Sequence, residues 1–185
     1  MKALRLLPLD DTVIFPGMTI TLPFEVGDEP AVLLVPRHGT EYAAVGVVAD
    51  VIDRLRLPGG ARATLFTGRH RGVAVGAVAD TAGELRADVE PRPDVPPPQA
   101  QTAEVEREYR AVVLEILDLR GDDGRVAAFV RSIPEAGALA DTSGYAPDLS
   151  FAQKVELLQT LDVAARLQLA LRFQRERLAE LQLRK

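Results

Sequence analysis

Five prolines fall between Pro91 and Pro98, and neither a helix nor an inner sheet strand can run through such a stretch, because proline lacks an amide hydrogen and fixes its own φ. The run divides the 185-residue chain into parts of different texture. Before it lie glycines, β-branched residues and period-two alternation; after it lie segments rich in leucine, glutamate and arginine at helical spacing. The expected fold is therefore α+β, with a β-rich subdomain over 1–92, a proline-rich linker over 93–100 and a helical subdomain over 101–185.

Seven strands are expected in the first part: Ala3–Leu7, Thr19–Phe24, Val32–Val35, Val45–Leu57, Ala61–Thr67, Gly72–Ala79 and Leu85–Glu90. Short strands with turns between them predict a closed or nearly closed antiparallel barrel. If Pro58, Gly59 and Gly60 form a three-residue loop, Leu57 faces Ala61, Leu55 faces Ala63 and Arg56 faces Arg62. Two like charges side by side require that face to be wet or to meet acids. Thr81, Ala82 and Gly83, bounded by Asp80 and Glu84, mark a second turn.

The second part predicts a helix over Thr102–Leu119 that places Glu104 and Glu106 in its first turn, carries a stripe of Val105, Tyr109, Val112, Val113, Ile116 and Leu117, and ends at Gly121. Shorter helices are expected over Arg125–Ser132 and Glu135–Ala140, interrupted by Pro134. Ser150 and Gln153 have capping-box spacing ahead of a helix bearing Phe151, Val155 and Leu158, and Asp162 caps a final long helix. In that helix Leu167, Leu171, Gln174, Leu178, Leu181 and Lys185 recur at intervals of four and three, the seam of a coiled coil. The seam fits either packing within the chain or a longer helix running on past Lys185.

Charge and residue inventory narrow the chemistry. The net charge is -5, which disfavours a general polyanion binder, although residues 163–185 carry six basic against two acidic side chains. Cysteine is absent and only His38 and His70 supply imidazoles, so disulfides, thiolate chemistry and an ordinary zinc site are not expected. None of the three lysines follows a glycine as a phosphate-binding loop demands, and the three serines Ser132, Ser143 and Ser150 lack a glycine elbow or a neighbouring histidine. No cofactor is expected on this chain. Arg54, Arg56, Arg62, Arg69 and Arg71 form the one basic concentration in the first part, able to meet phosphate or an acidic peptide, yet no aromatics interleave with them for base stacking. No apolar run reaches the roughly 20 residues that span a bilayer, nor does the amino terminus have a signal-peptide pattern; cytoplasm is the expected location, with no membrane partner.

The opening Leu6-Leu7-Pro8-Leu9, followed by Val13-Ile14-Phe15-Pro16-Gly17-Met18, resembles the start of the amino-terminal domain of Lon proteases. The likeness continues through Val45-Gly46-Val47-Val48-Ala49, through Leu55-Arg56-Leu57-Pro58-Gly59-Gly60, and through Gly68 and Arg71, which match a G-x-x-R turn. It returns at Lys154 to Val163 with Arg166 and Leu167, similar to the family's last helix junction. Two departures stand out. Between Val26 and Leu34 the family usually inserts a helix of about a dozen residues, where this chain has only Gly27-Asp28-Glu29-Pro30, and Asp10-Asp11 replaces an Arg-Asp pair.

The resemblance implies a PUA-like β-barrel followed by a helical bundle ending in a long helix, serving noncatalytic recognition of unfolded or damaged proteins in an ATP-dependent, homohexameric serine protease. The ATP, magnesium and catalytic domains of such a parent would lie beyond Lys185. A freestanding Lon-domain binding adaptor and a PUA-like nucleic-acid binder are the alternatives. Clients of a damage recogniser share exposed apolar side chains and no common sequence, so the apolar residues near predicted loops, Phe15, Pro16, Met18, Phe24 and Leu57, are the candidate contacts, Met18 because its thioether adapts to different partners.

Overall fold

The computed structural model describes residues 2–184 and divides into two compact units, 1–93 and 94–185. Lys185, the last position of the predicted seam, lies outside the described residues. In the first unit the strands are β1 (Lys2–Asp10), β2 (Thr19–Leu22), β3 (Ala31–His38), β4 (Glu41–Tyr42), β5 (Gly46–Arg56), β6 (Arg62–Ala79) and β7 (Leu85–Arg92). Antiparallel pairs link β1 to β7, β7 to β6, β6 to β5 and β5 to β3. A parallel pair, Arg5↔Val32 to Asp10↔Arg37, joins β3 back to β1 and closes the ring. The expectation of antiparallel pairing throughout is thus corrected at the closing seam. Parallel neighbours need a long crossover, and residues 11–30 supply it, with β2 pairing to β6 on the way.

The ring accounts for the apolar alternation. Leu4, Leu6, Leu33, Val35, Val48, Ala87 and Val89 form one buried cluster, and Leu7, Leu9, Ile14, Val32, Leu34, Ala49 and Phe66 form the other. Because β3 contributes to both, it reads as an unbroken apolar run instead of an alternating one. Each fully buried leucine, valine, isoleucine or phenylalanine among them stabilises the fold by about 1.5–3 kcal/mol. The second cluster is sealed by the crossover through Val26, Met18, Ile20, Leu22 and Phe24.

Where the sequence predicts two strands, 61–67 and 72–79, a single strand β6 runs through. The glycines that suggest a break serve a close approach instead. A Cβ on Gly68 would stand 2.8 Å from the Phe15 carbonyl oxygen and 3.1 Å from Val47 Cγ1, and Gly68 accepts from Gly17 N–H at 2.9 Å while donating to Met18 O at 2.9 Å. The hairpin over 55–63 has the expected register, with Leu55↔Ala63, Arg56↔Arg62 and Leu57 N–H donating to Ala61 O at 2.6 Å. The 80–84 turn also forms: Asp80 accepts from the Ala82 and Glu84 amides, and these bonds, that from Glu84 foremost, hold its carboxyl below the usual range.

The second unit contains α1 (Gln99–Leu119), α2 (Arg125–Ser132), α3 (Ala136–Asp141), a 3-10 turn over Thr142–Tyr145, α4 (Phe151–Gln159) and α5 (Val163–Leu183). Helix α1 begins at Gln99, behind Pro98, so Glu104 and Glu106 lie in the second turn and the expected dipole contribution is absent. Its buried side includes Thr102, Glu106, Tyr109 and Ile116; Val105, Val112, Val113 and Leu117 are half-buried. Gly121 N–H bonds Asp118 O and Asp122 N–H bonds Leu117 O, which closes the end as a Schellman motif. The Ser150–Gln153 capping box and the Asp162 cap both form. Helix α5 runs parallel to α1, with Arg175 bonding Glu108 and Gln182 bonding Glu115 one heptad on. Leu167, Leu171 and Gln174 of the seam are buried within the chain.

The densest polar contact is at the α4–α5 junction. Arg166 is wholly buried; its guanidinium donates to Asp94 Oδ2 at 2.6 Å and to Thr160 O at 3.3 Å, and its Nε lies 3.2 Å from Asp141 Oδ1. It ties the start of the unit and α3 to the last two helices. Replacing Arg166 by Met removes the cation between Asp94 and buried Asp141 and is expected to lower stability by about 3–5 kcal/mol in urea unfolding; a loss below about 1 kcal/mol would contradict this assignment.

After β1 the chain turns at Asp11, which has φ +50°, and the Asp11 carboxylate bonds His38 Nδ1 at 2.6 Å. Both side chains are exposed, and the bond to Asp11 raises the His38 pKa above its ordinary value. The pair's contribution is therefore full below the unfolded pKa near 6.5 and fades as pH rises through the higher folded value. An NMR titration is expected to place the His38 midpoint above about 6.5 and to lower it in Asp11→Asn; a midpoint already at the ordinary value in the unaltered protein would refute the pairing.

Candidate functional site

The five apolar candidates do not form one surface. Phe15 is 0% exposed, with the Arg71 guanidinium 5.9 Å from its ring centre, so it is core and not a contact. Pro16, Met18 and Phe24 are half-buried, and Met18 Sδ accepts from the Phe15 N–H at 3.3 Å. Leu57, 39% exposed beside the 58–60 loop, is the most accessible of them. The two motifs FPGM and G-x-x-R meet in space: Arg71 covers Phe15, and Gly68 is threaded by the backbone of Phe15, Gly17 and Met18.

Of the basic residues, Arg54, Arg56 and Arg62 border one hollow, while Arg69 and Arg71 do not line it. Arg54 donates to Gly27 O at 2.5 Å and to Glu29 O at 3.0 Å, holding the 27–30 turn. Arg62 pairs with Glu25 at 2.7 Å, and Arg69 pairs with Asp50 at 3.4 Å. Arg71 is 1% exposed. Arg56 is exposed, and with Arg54, Arg62 and Glu25 it borders a hollow of about 270 Å³. His70 bonds the Arg71 carbonyl through Nδ1 at 2.9 Å.

A cavity of about 420 Å³ opens at one end of the ring. The ladder between β5 and β6 runs from Arg56↔Arg62 to Gly46↔Gly72 and stops there. Beyond it β6 continues to Ala79 alongside β7, while the chain ahead of Gly46 leaves β6 and pairs with β3 as β4. The two diverge. Tyr42, Ala43, Ala44 and Gly46 form one wall, Ala74, Gly76 and Ala77 the other, and Leu6, Val35 and Leu85 lie between. Gly76, at φ +77°, is the extra residue of a bulge between Val75↔Asp88 and Ala77↔Ala87, and the bulge keeps Ala77 turned toward the cavity.

At the rim, Arg37 donates to Tyr42 Oη at 3.3 Å and through Nε to Asp10 Oδ1 at 2.7 Å, with its guanidinium 5.6 Å from the Tyr42 ring centre. The bond from Arg37 holds the Asp10 carboxyl below the usual carboxylate range. Asp10 and Arg37 are thus fixed, and one face of Tyr42 walls the cavity. Sequence reasoning did not find this site, since its walls are mostly alanine and glycine; the only trace was the uncharged run Val73 to Ala79.

The helical unit also offers an apolar surface, where Phe129, 47% exposed, stacks on Tyr145 with ring centres 6.4 Å apart. Its serines are committed to structural bonds. Ser132 donates to Phe129 O, Ser150 caps α4, and buried Ser143 bonds Tyr109 Oη at 2.6 Å and Gln174 Nε2 at 2.9 Å. Burial pushes the Tyr109 phenol up to about 12. No group of three or more histidine or acidic side chains among the described residues is placed to hold a metal ion.

Comparison with known proteins places these features in a family. Residues 3–174 match the model of the ATP-dependent protease La (LON) substrate-binding domain. The chain is 35% identical to a Lon protease of Salinispora arenicola over 97% of its own length and 24% of that protein's, and 35% identical to one of Chloroflexus aurantiacus over 98% and 24%. It thus spans about a quarter of the length of these relatives. Among solved structures it is similar to the N-terminal domain of Mycobacterium avium complex Lon protease, at 28% identity and a TM-score of 0.81, covering 94% of this chain and 98% of that one. The Lon N-terminal domain protein from Xanthomonas campestris, at 20% identity and a TM-score of 0.62 over 91% of this chain and 96% of that one, shares the fold. By sequence and by fold alike, the chain belongs to the LON substrate-binding domain family.

Proposed function

We propose that the chain is the noncatalytic client-recognition part of an ATP-dependent Lon-type serine protease, gripping unfolded or damaged polypeptides while hydrolysis of ATP and of the peptide bond takes place in other domains of the parent. The observation that carries this reading is the cavity between β4 and β6, an accessible apolar hollow of about 420 Å³ on a chain of this family. Unfolded chains share unburied apolar side chains, and a hollow with small walls accepts several of them without demanding one sequence. ATP and magnesium belong to the parent in this reading, as does assembly into a homohexamer. No described helix is long and apolar enough to cross a membrane, and we place the parent in the cytoplasm.

The nucleic-acid alternative finds less support, because Arg62 and Arg69 already pair with acids and Arg71 is buried. A freestanding adaptor would use the same surface and differ only in lacking ATPase and protease domains downstream. Titrating this chain with one protein labelled in its native form and in a permanently unfolded, reduced and alkylated form is the test. The unfolded form is expected to bind at least about tenfold tighter; equal affinity for both would refute recognition by unfoldedness.

A further inference from the structure

We propose that the ring's open end is an acceptor for an extended segment of another polypeptide, which adds as a strand to the free edge of β6 and drops alternate side chains into the cavity. The inference rests on the recognition reading above and names how that recognition is made. From Val73↔Glu90 to Ala79↔Leu85, β6 pairs with β7 on one side, and among the described residues no strand pairs with it on the side that β5 leaves at Gly72. An unpaired edge is a template for another chain, and folded proteins usually blunt one with lysine, proline or an inward-pointing charge. The run Val73-Ala74-Val75-Gly76-Ala77-Val78-Ala79 has none of these, and the one protective feature it carries is the single bulge at Gly76. Val75 and Val78 are 43% and 68% exposed, and the cavity opens beside the same edge. Backbone groups along β6 would supply affinity, and the hollow would select the side chains.

The charges nearby favour one kind of occupant. Strand alternation puts the side chains of an added strand inward toward Ala74 and Ala77, and outward beside Val75 and Val78. On the outer face Val78 pairs with Arg86 and Val75 with Asp88, while Glu41 alternates with the cavity-lining Tyr42. Arg86 is engaged by Glu29 and Asp80, and His38 by Asp11. Asp88 holds no ion pair among the described residues, and Glu41, which faces His38 across the β3–β4 pair, shares that imidazole with Asp11, so the charge left over on this face is negative. The complementary segment alternates small apolar residues with lysine or arginine.

The test uses the 185-residue chain and a fluorescent peptide of alternating valine and lysine, about as long as the exposed edge. Binding is expected to slow amide hydrogen exchange across Val73–Ala79 and to vanish when alternate backbone nitrogens of the peptide are methylated. Ala77→Leu, which fills the hollow, is expected to weaken binding about tenfold or more, and Asp88→Asn with Glu41→Gln about two- to fivefold. Should Ala77→Leu fail to fold, the methylated peptide on the unaltered chain carries the comparison. If the unfolded protein binds but Ala77→Leu binds it equally and exchange at 73–79 is unchanged, strand addition is overturned while recognition stands. If neither unfolded protein nor peptide binds, the recognition reading falls. Protection of 73–79 that rises with protein concentration alone would make a second copy the occupant, against this proposal.

Discussion

The parallel pairing of β1 with β3 is the constraint on which the first unit depends. It gives the ring its closure, and because parallel neighbours cannot be joined by a tight turn, it forces the twenty residues 11–30 to cross over. That crossover carries the FPGM turn, lays Phe15 beneath Arg71, seats β2 on β6 and seals the second apolar cluster. Pairing along its whole length also leaves β3 free to bury both faces. With β1 and β3 held together, β4 stays on the β3 side of the ring end, and the space between β4 and the far half of β6 stays open.

The helical unit rests on a different kind of contact. A buried arginine is stable only while its partners remain, and Arg166 has carboxylates on two sides and a carbonyl on a third. Above it Tyr109, Ser143 and Gln174 link α1, the 3-10 turn and α5 by hydrogen bonds in a site closed to water. These polar ties fix which faces of α1 and α5 meet, a choice that leucines alone would leave degenerate.

What the sequence made legible was local. The 58–60 hairpin, the 80–84 turn, the Ser150 capping box and the Asp162 cap each depend on residues a few positions apart, and each forms. Non-local geometry was hidden. Gly68 and Gly72 read as breaks in β6, since nothing in one sequence shows that the Phe15 backbone passes over the first and that Val89 and Val48 press on the second. Phe15 read as a candidate because it lies beside a predicted turn, and Arg71 because it belongs to the basic concentration; only the crossover brings the ring and the guanidinium into one buried contact. Glu104 and Glu106 were misplaced by one turn because α1 starts directly behind Pro98. The candidate cavity was the least legible feature, as a hollow walled mostly by alanine and glycine, with Tyr42 at one side and Leu6, Val35 and Leu85 between, has no chemical signature of its own.

Recognition of unfolded chains and the open ring end are joined in one physical idea, that a strand edge left bare beside a small-walled hollow will take up an extended apolar segment. A photo-crosslinking amino acid at position 78, on the exposed edge, and a second protein carrying it at position 129, on the apolar patch of the helical unit, separate the two surfaces most directly. With an unfolded, alkylated client, crosslinks are expected at position 78, suppressed by excess unlabelled client, and near background at position 129. Crosslinks of equal yield at both positions, or at position 129 alone, would contradict recognition through the ring end.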